Sequence, residues 1–122
     1  MATLLTGLNY FSIGDATTEY DLTMTDLNGN LFPQVVVRVN ANHGSPTQIN
    51  VPEFGSQVPL NAKLVVVLDT LNVDGVTIDA LGGKINGRNQ ISFSSYAEPG
   101  SSITLSPVGD ENWSALVGEY VD

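Results

Sequence analysis

The sequence predicts an all-β fold: a small antiparallel β-sandwich, jelly-roll-like, of about eight strands. Three observations predict it. Short runs rich in Val, Ile, Thr and aromatic residues recur along the chain, with turn residues roughly every 8–12 positions, the spacing of a sandwich or a barrel. No window keeps a 3.6-residue apolar period over about ten residues, as an amphipathic helix does. The runs are built largely from β-branched residues, which pack well on a pleated surface and lose rotamer freedom in a helix.

The runs follow in order. Residues 3–11 mix apolar and polar side chains, are interrupted by Gly7, and read as an N-terminal strand or an arm. Gly14-Asp15 marks a turn. Residues 19–25 alternate, with Tyr20, Leu22 and Met24 on one face and Glu19, Asp21, Thr23 and Thr25 on the other, the period of a half-buried strand. Asn28-Gly29 then stands between two β-type runs, a strong hairpin signal because both residues accept positive φ. Residues 32–40, with Val35, Val36, Val37 and Val39, are apolar on both faces. Such a run is buried on both sides, or sets one face on the core and the other on a partner. Pro33 sits at its start, where a missing N–H is tolerated.

Residues 41–47 form a loop with His43-Gly44 and Pro46, and residues 48–51 a short strand with Ile49 and Val51 pointing one way. Residues 52–61 are an irregular connection with two prolines. KLVVVLD at 63–69 is the most apolar run and the best central strand; Asp74-Gly75 turns into a strand at 76–79. The last third holds three further runs, 90–93, 102–107 and 113–120, with Gly82, Gly83 and Gly87 as turn residues before them. No tandem repeat or low-complexity linker is visible, and residues 1–122 read as one domain.

Composition narrows the function. The net charge is −9, from 13 acids against Arg38, Lys63, Lys84 and Arg88, which repels phosphate backbones and anionic bilayers, so neither nucleic acid nor membrane is an expected partner. There is no cysteine, which excludes disulfides and thiolate metal sites. The start, MATLLTGLNYF, lacks the basic n-region of a signal peptide, and no apolar stretch is long enough to span a membrane as a helix. The chain is expected to be made in a cytoplasm.

Catalytic chemistry finds little to use. Nucleophilic catalysis needs a base beside the nucleophile, and the only histidine, His43, lies in a Gly/Pro loop with no carboxylate near in sequence. Asp26, Asn28 and Asn30 have the oxygen spacing of a calcium loop, but Leu31 and Val37 stand where its glycine and glutamate belong. Asp69, Asn72 and Asp74 are wrongly spaced for the same role. The glycines at 82, 83 and 87 lack the lysine of a phosphate loop. No cofactor, metal or enzymatic activity is expected. Tyr10, Tyr20, Tyr96, Trp113 and Tyr120 could make a sugar-stacking platform, although Trp113 is first a candidate for the core or a subunit contact.

From Lys63 onward the order is Val76-Thr77-Ile78, Gly82-Gly83, Ile85-Asn86-Gly87, Ser102-Ile103-Thr104-Leu105 and Asn112-Trp113, with Gln48-Ile49-Asn50-Val51-Pro52 before it. This order resembles β-rich modules of tailed-bacteriophage virion proteins: capsid decoration proteins, head and tail fibres, and spikes. The resemblance covers about 75 residues, as a style of sequence rather than a chemical signature. It implies a virion structural protein and a homotrimer. Fibre modules usually cap a long chain, so a chain that starts at Met1 and stands alone fits a capsid decoration, or cement, protein set on the outer capsid surface. Its partners are then itself and the major capsid protein. Leu4, Leu5, Leu8 and Tyr10 are the expected capsid contacts, on an N-terminal arm or strand of residues 1–10 that adds to a partner's sheet. Val35, Val37, Trp113 and Tyr120 are the expected trimer interface. The rival expectations are a fibre or spike module binding host surface glycans, and an unrelated secreted β-sandwich.

Overall fold

A computed structural model of the chain describes residues 8–14, 19–21, 34–40, 46–51, 62–69, 75–80, 82–94, 97–109 and 112–119. No helix occurs among them. They form ten strands: β1 (Leu8–Ile13), β2 (Glu19–Asp21), β3 (Gln34–Val39), β4 (Thr47–Asn50), β5 (Lys63–Leu68), β6 (Val76–Asp79), β7 (Lys84–Ile85), β8 (Gln90–Ser92), β9 (Ser102–Gly109) and β10 (Asn112–Gly118). Two sheets result, one ordered β1-β3-β5-β9-β10-β7 and the other β2-β4-β6-β8.

From β1 to β6 the chain changes sheet at every step. Odd strands enter the six-stranded sheet, even strands the four-stranded one, and successive arrivals lie parallel. From β2 onward the register is regular, whereas β1 stands 26 positions before β3 (8 to 34). Gln34 pairs with Lys63, Glu19 with Gln48 and Thr47 with Val76, each 29 positions on (34 to 63, 19 to 48, 47 to 76). These strands therefore make three turns of a two-faced parallel coil. The end is antiparallel: β8 lies against β6, β9 against β5 and β10 against β9, while β7 adds two residues parallel to β10.

This corrects the antiparallel, jelly-roll-like expectation. Both sheets are mixed, with five parallel and three antiparallel pairings among the described strands. Burial patterns report which face of a strand is inside, not the direction of its neighbour. The clue to direction was the near-continuous apolar run at 34–39 and 63–68, which is how parallel strands read. The repeat was invisible because only hydrophobic character recurs every 29 residues, as in Val35/Leu64, Val37/Val66 and Ile49/Ile78. The hairpin expected at Asn28-Gly29 does not join β2 to β3, which lie in different sheets. That turn itself, and residues 22–25 of the expected strand, lie outside the described residues.

One core serves both sheets. Val35, Val37 and Val39 of β3, Leu64, Val66 and Leu68 of β5, and Ile103 and Leu105 of β9 point inward against Ile49 and Ile78 of the other sheet, all essentially without solvent contact. Each such side chain contributes roughly 1.5–3 kcal/mol relative to an exposed one. Trp113 of β10 is the largest member and is 1% exposed. Ile85 packs beside it in register, which gives the two-residue β7 its anchor.

The parallel register has an electrostatic consequence on the other side of the four-stranded sheet. Asp21, Asn50 and Asp79 stand side by side on successive strands. Three carboxylates there would stack like charges across strand spacings of about 4.8 Å. Asn50 instead separates the two acids. It is buried, donates from Nδ2 to Asp21 Oδ1 (2.6 Å) and Glu19 Oε1 (2.9 Å), and accepts from Gln48 Nε2 (2.8 Å).

Candidate assembly surface

The outward face of the six-stranded sheet follows from register. Val36 pairs with Val65, Val65 with Thr104, and Thr104 with Leu116, so one row crosses four strands. The next row runs Arg38, Val67, Ser102, Gly118. Val36, Val65, Thr104 and Val67 are half-buried by their neighbours, and Leu116 is 76% exposed. The result is a strip of β-branched side chains ending in an exposed leucine. Gln34 and Lys63 lie exposed at one margin, and at the other Arg38 Nη2 meets Asp69 Oδ2 at 2.8 Å. An exposed pair of this kind contributes about 0–1 kcal/mol, so Asp69 is a local charge partner of Arg38; Asn72 and Asp74 lie outside the described residues.

Two further features border this face. β1 is an edge strand of the six-stranded sheet, paired on one side with β3 and on the other with no described strand. At the opposite margin the end of β10 is open, and Val117 is 46% exposed although its neighbours in register, Ile103 and Val66, are buried.

The expected trimer residues need correction. Val35, Val37 and Trp113 have essentially no solvent contact within a single chain, so they form the core and offer nothing to a second subunit. Tyr120, Leu4 and Leu5 lie outside the described residues. Leu8 and Tyr10 fall within β1, in register with Gln34 and Val36, so this part of the expected arm is a strand. His43 and the Asp26–Asn30 turn are outside the described residues. Among those described, no group of three or more His, Cys, Asp or Glu side chains is placed to hold a metal ion.

Of the expected sugar-stacking aromatics, Trp113 is buried and Tyr20 packs half-buried against the core; Tyr96 and Tyr120 lie outside the described residues. Burial pushes the Tyr20 hydroxyl pKa up from its ordinary value near 10. The residues missed by sequence reasoning are Val36, Val65, Val67 and Leu116. Their signal was parity, because Gln34, Val36 and Arg38 share a face and two of the three are polar.

No family model, curated protein or solved structure matches this chain.

Proposed function

We propose that this chain is a bacteriophage virion structural protein, a homotrimeric capsid decoration (cement) protein that binds the major capsid protein on the outer capsid surface and stabilises the shell. It carries out no catalysis. The two sheets act as a sandwich-like body for display and contact. The observation that supports this reading is the Val36–Val65–Thr104–Leu116 row, a half-buried, mostly apolar row on the outer face that ends in Leu116 at 76% exposed. Exposed apolar strips of this kind are normally covered by a partner, and in homo-oligomers by symmetry-related copies.

In this arrangement the strip replaces Val35, Val37 and Trp113 as the subunit contact. The edge strand β1 extends the capsid-binding segment that begins at Leu4 and Leu5 and continues through Leu8 and Tyr10, a geometry suited to strand addition. Three copies of a weak contact then act together, because the second and third bind intramolecularly. The net charge of −9 per chain opposes self-association at low salt, so the contact must be apolar to persist.

Size-exclusion with light scattering, followed by cosedimentation with expanded phage capsids, tests the reading. A trimer that pellets with capsids is expected. Leu116→Asp should dissociate the trimer without unfolding the chain. A wild-type monomer at tens of micromolar, or binding to host glycans with capsids left bare, would overturn it.

A further inference from the structure

The margin of the six-stranded sheet ends abruptly. β7 pairs with β10 at Asn112↔Lys84 and Trp113↔Ile85 only. The chain then turns away through Asn86 and Gly87, both left-handed at φ 51° and 79°. Asn86 stays on the edge. Its backbone N–H donates to the Trp113 carbonyl (3.0 Å). Its side-chain amide stands in for the next strand residue, accepting from Ala115 N–H (2.9 Å) and donating to the Ala115 carbonyl (3.1 Å). Backbone groups alternate sides along a strand. The next residue facing this way is therefore Val117, and its N–H and C=O meet no partner among the described residues.

Across the gap lies β8, the edge strand of the other sheet. Phe93 N–H donates to the Val76 carbonyl and Asn89 C=O accepts from Ala80 N–H, so residues 89, 91 and 93 face β6. The backbone groups of Gln90 and Ser92 consequently face the gap. Ser94 is next in that series, and its N–H is taken by Glu119 Oε1 (2.7 Å). Side chains thus close both ends, Asn86 at Ala115 and Glu119 at Ser94. Between them lies a groove of about 470 Å³ lined by Asn86, Arg88, Gln90, Ile91, Ser92 and Val117. It presents backbone donors and acceptors on two edges, an apolar floor of Ile91 and Val117, and the exposed cation of Arg88 at one end. Arg88 has no ion pair among the described residues.

We propose that this groove is a strand-addition site for an extended peptide segment of another protein, with an apolar residue seated on Val117 and Ile91 and a carboxylate paired with Arg88. Main-chain bonds to Val117 supply affinity and the seated side chain supplies selectivity. The charge argument sets the occupant. Arg88 is one of four cations in a chain of net charge −9, so it favours one carboxylate locally, while the surrounding field disfavours a polyacidic segment or a second copy of this chain. The site is separate from the strip proposed for trimer contact and does not depend on the virion reading.

The test is titration of the ¹⁵N-labelled full chain with acetyl-Thr-Val-Thr-Val-Glu-amide, with the same peptide ending in Lys, and with a version carrying Pro at the central Thr. The expected result is saturable shifts centred on the amides of Val117, Gln90 and Ser92, at least tenfold weaker binding of the Lys peptide, and loss of binding with the Pro peptide. In Arg88→Glu, whose side chain is exposed and whose spectrum should otherwise be unchanged, the Glu/Lys preference should reverse. The proposal is overturned by three outcomes: no saturable Val117 shift at millimolar peptide, equal binding of the Glu and Lys peptides, or a Val117 shift that follows protein concentration without peptide, which would assign the groove to self-association.

Discussion

Trp113→Ala separates a core role from an assembly role. Trp113 is 1% exposed in the isolated chain, flanked in register by Pro107 and Ile85. Truncating a fully buried tryptophan removes its transfer free energy and leaves a cavity, a loss of about 3–5 kcal/mol. Single domains hold about 5–15 kcal/mol in total, so the variant should remain folded but weakened. With a urea dependence of about 1–3 kcal/mol per molar, the unfolding midpoint should fall by roughly 2 M. The assay is urea unfolding followed by circular dichroism at two protein concentrations, with light scattering on the same samples. The loss should be equal at both concentrations and the native oligomer unchanged. A variant that keeps its midpoint while the oligomer dissociates would refute the core assignment. Trp113 is the chain's only tryptophan, so wild-type emission should be blue-shifted and independent of dilution.

Other outcomes follow from the same geometry. Asn50→Asp places a third carboxylate against Asp21 and Glu19; it should cost about 2–4 kcal/mol at pH 7, measured by urea unfolding. The new group's folded pKa is raised, so its cost should vanish as pH falls below about 4 and grow as pH rises above it. Burial also raises the Tyr20 pKa, so its contribution is full below about pH 10 and is lost as pH rises through the folded value; Tyr20→Phe should unfold at a higher alkaline pH than wild type. Asn86→Ala loses both bonds to Ala115 and meets the left-handed backbone cost of about 1–2 kcal/mol, whereas Asn86→Gly loses the bonds alone. Both should expose the Ala115 amide to hydrogen exchange, with the alanine variant less stable in thermal melts.

Much of the architecture was legible in the sequence. The expected runs at 63–69, 76–79, 90–93, 102–107 and 113–120 correspond to β5, β6, β8, β9 and β10. β7 escaped notice because two residues between Gly82-Gly83 and Asn86-Gly87 carry no period. Direction and neighbour were the harder part. A strand's alternation records burial, and an identical alternation results whether its neighbour runs up or down. The misassigned trimer residues have a related cause. Four valines in one run conceal which parity faces out, and only Gln34 and Arg38 reveal that Val36 does. Trp113 could not be sorted from sequence because a large aromatic serves a core and an interface equally well.

The 29-residue register also bears on how such a body could change in size. Each turn contributes one strand to each sheet and exposes, on its far side, the same pattern of backbone groups it received. A duplicated turn inserted between the segment ending in β6 and the closing strands would therefore widen both sheets by about 4.8 Å, with the new strands taking the places of β5 against β9 and of β6 against β8. Growth by whole turns would then proceed in fixed increments. The closing strands act as a stopper that ends the series wherever it is placed.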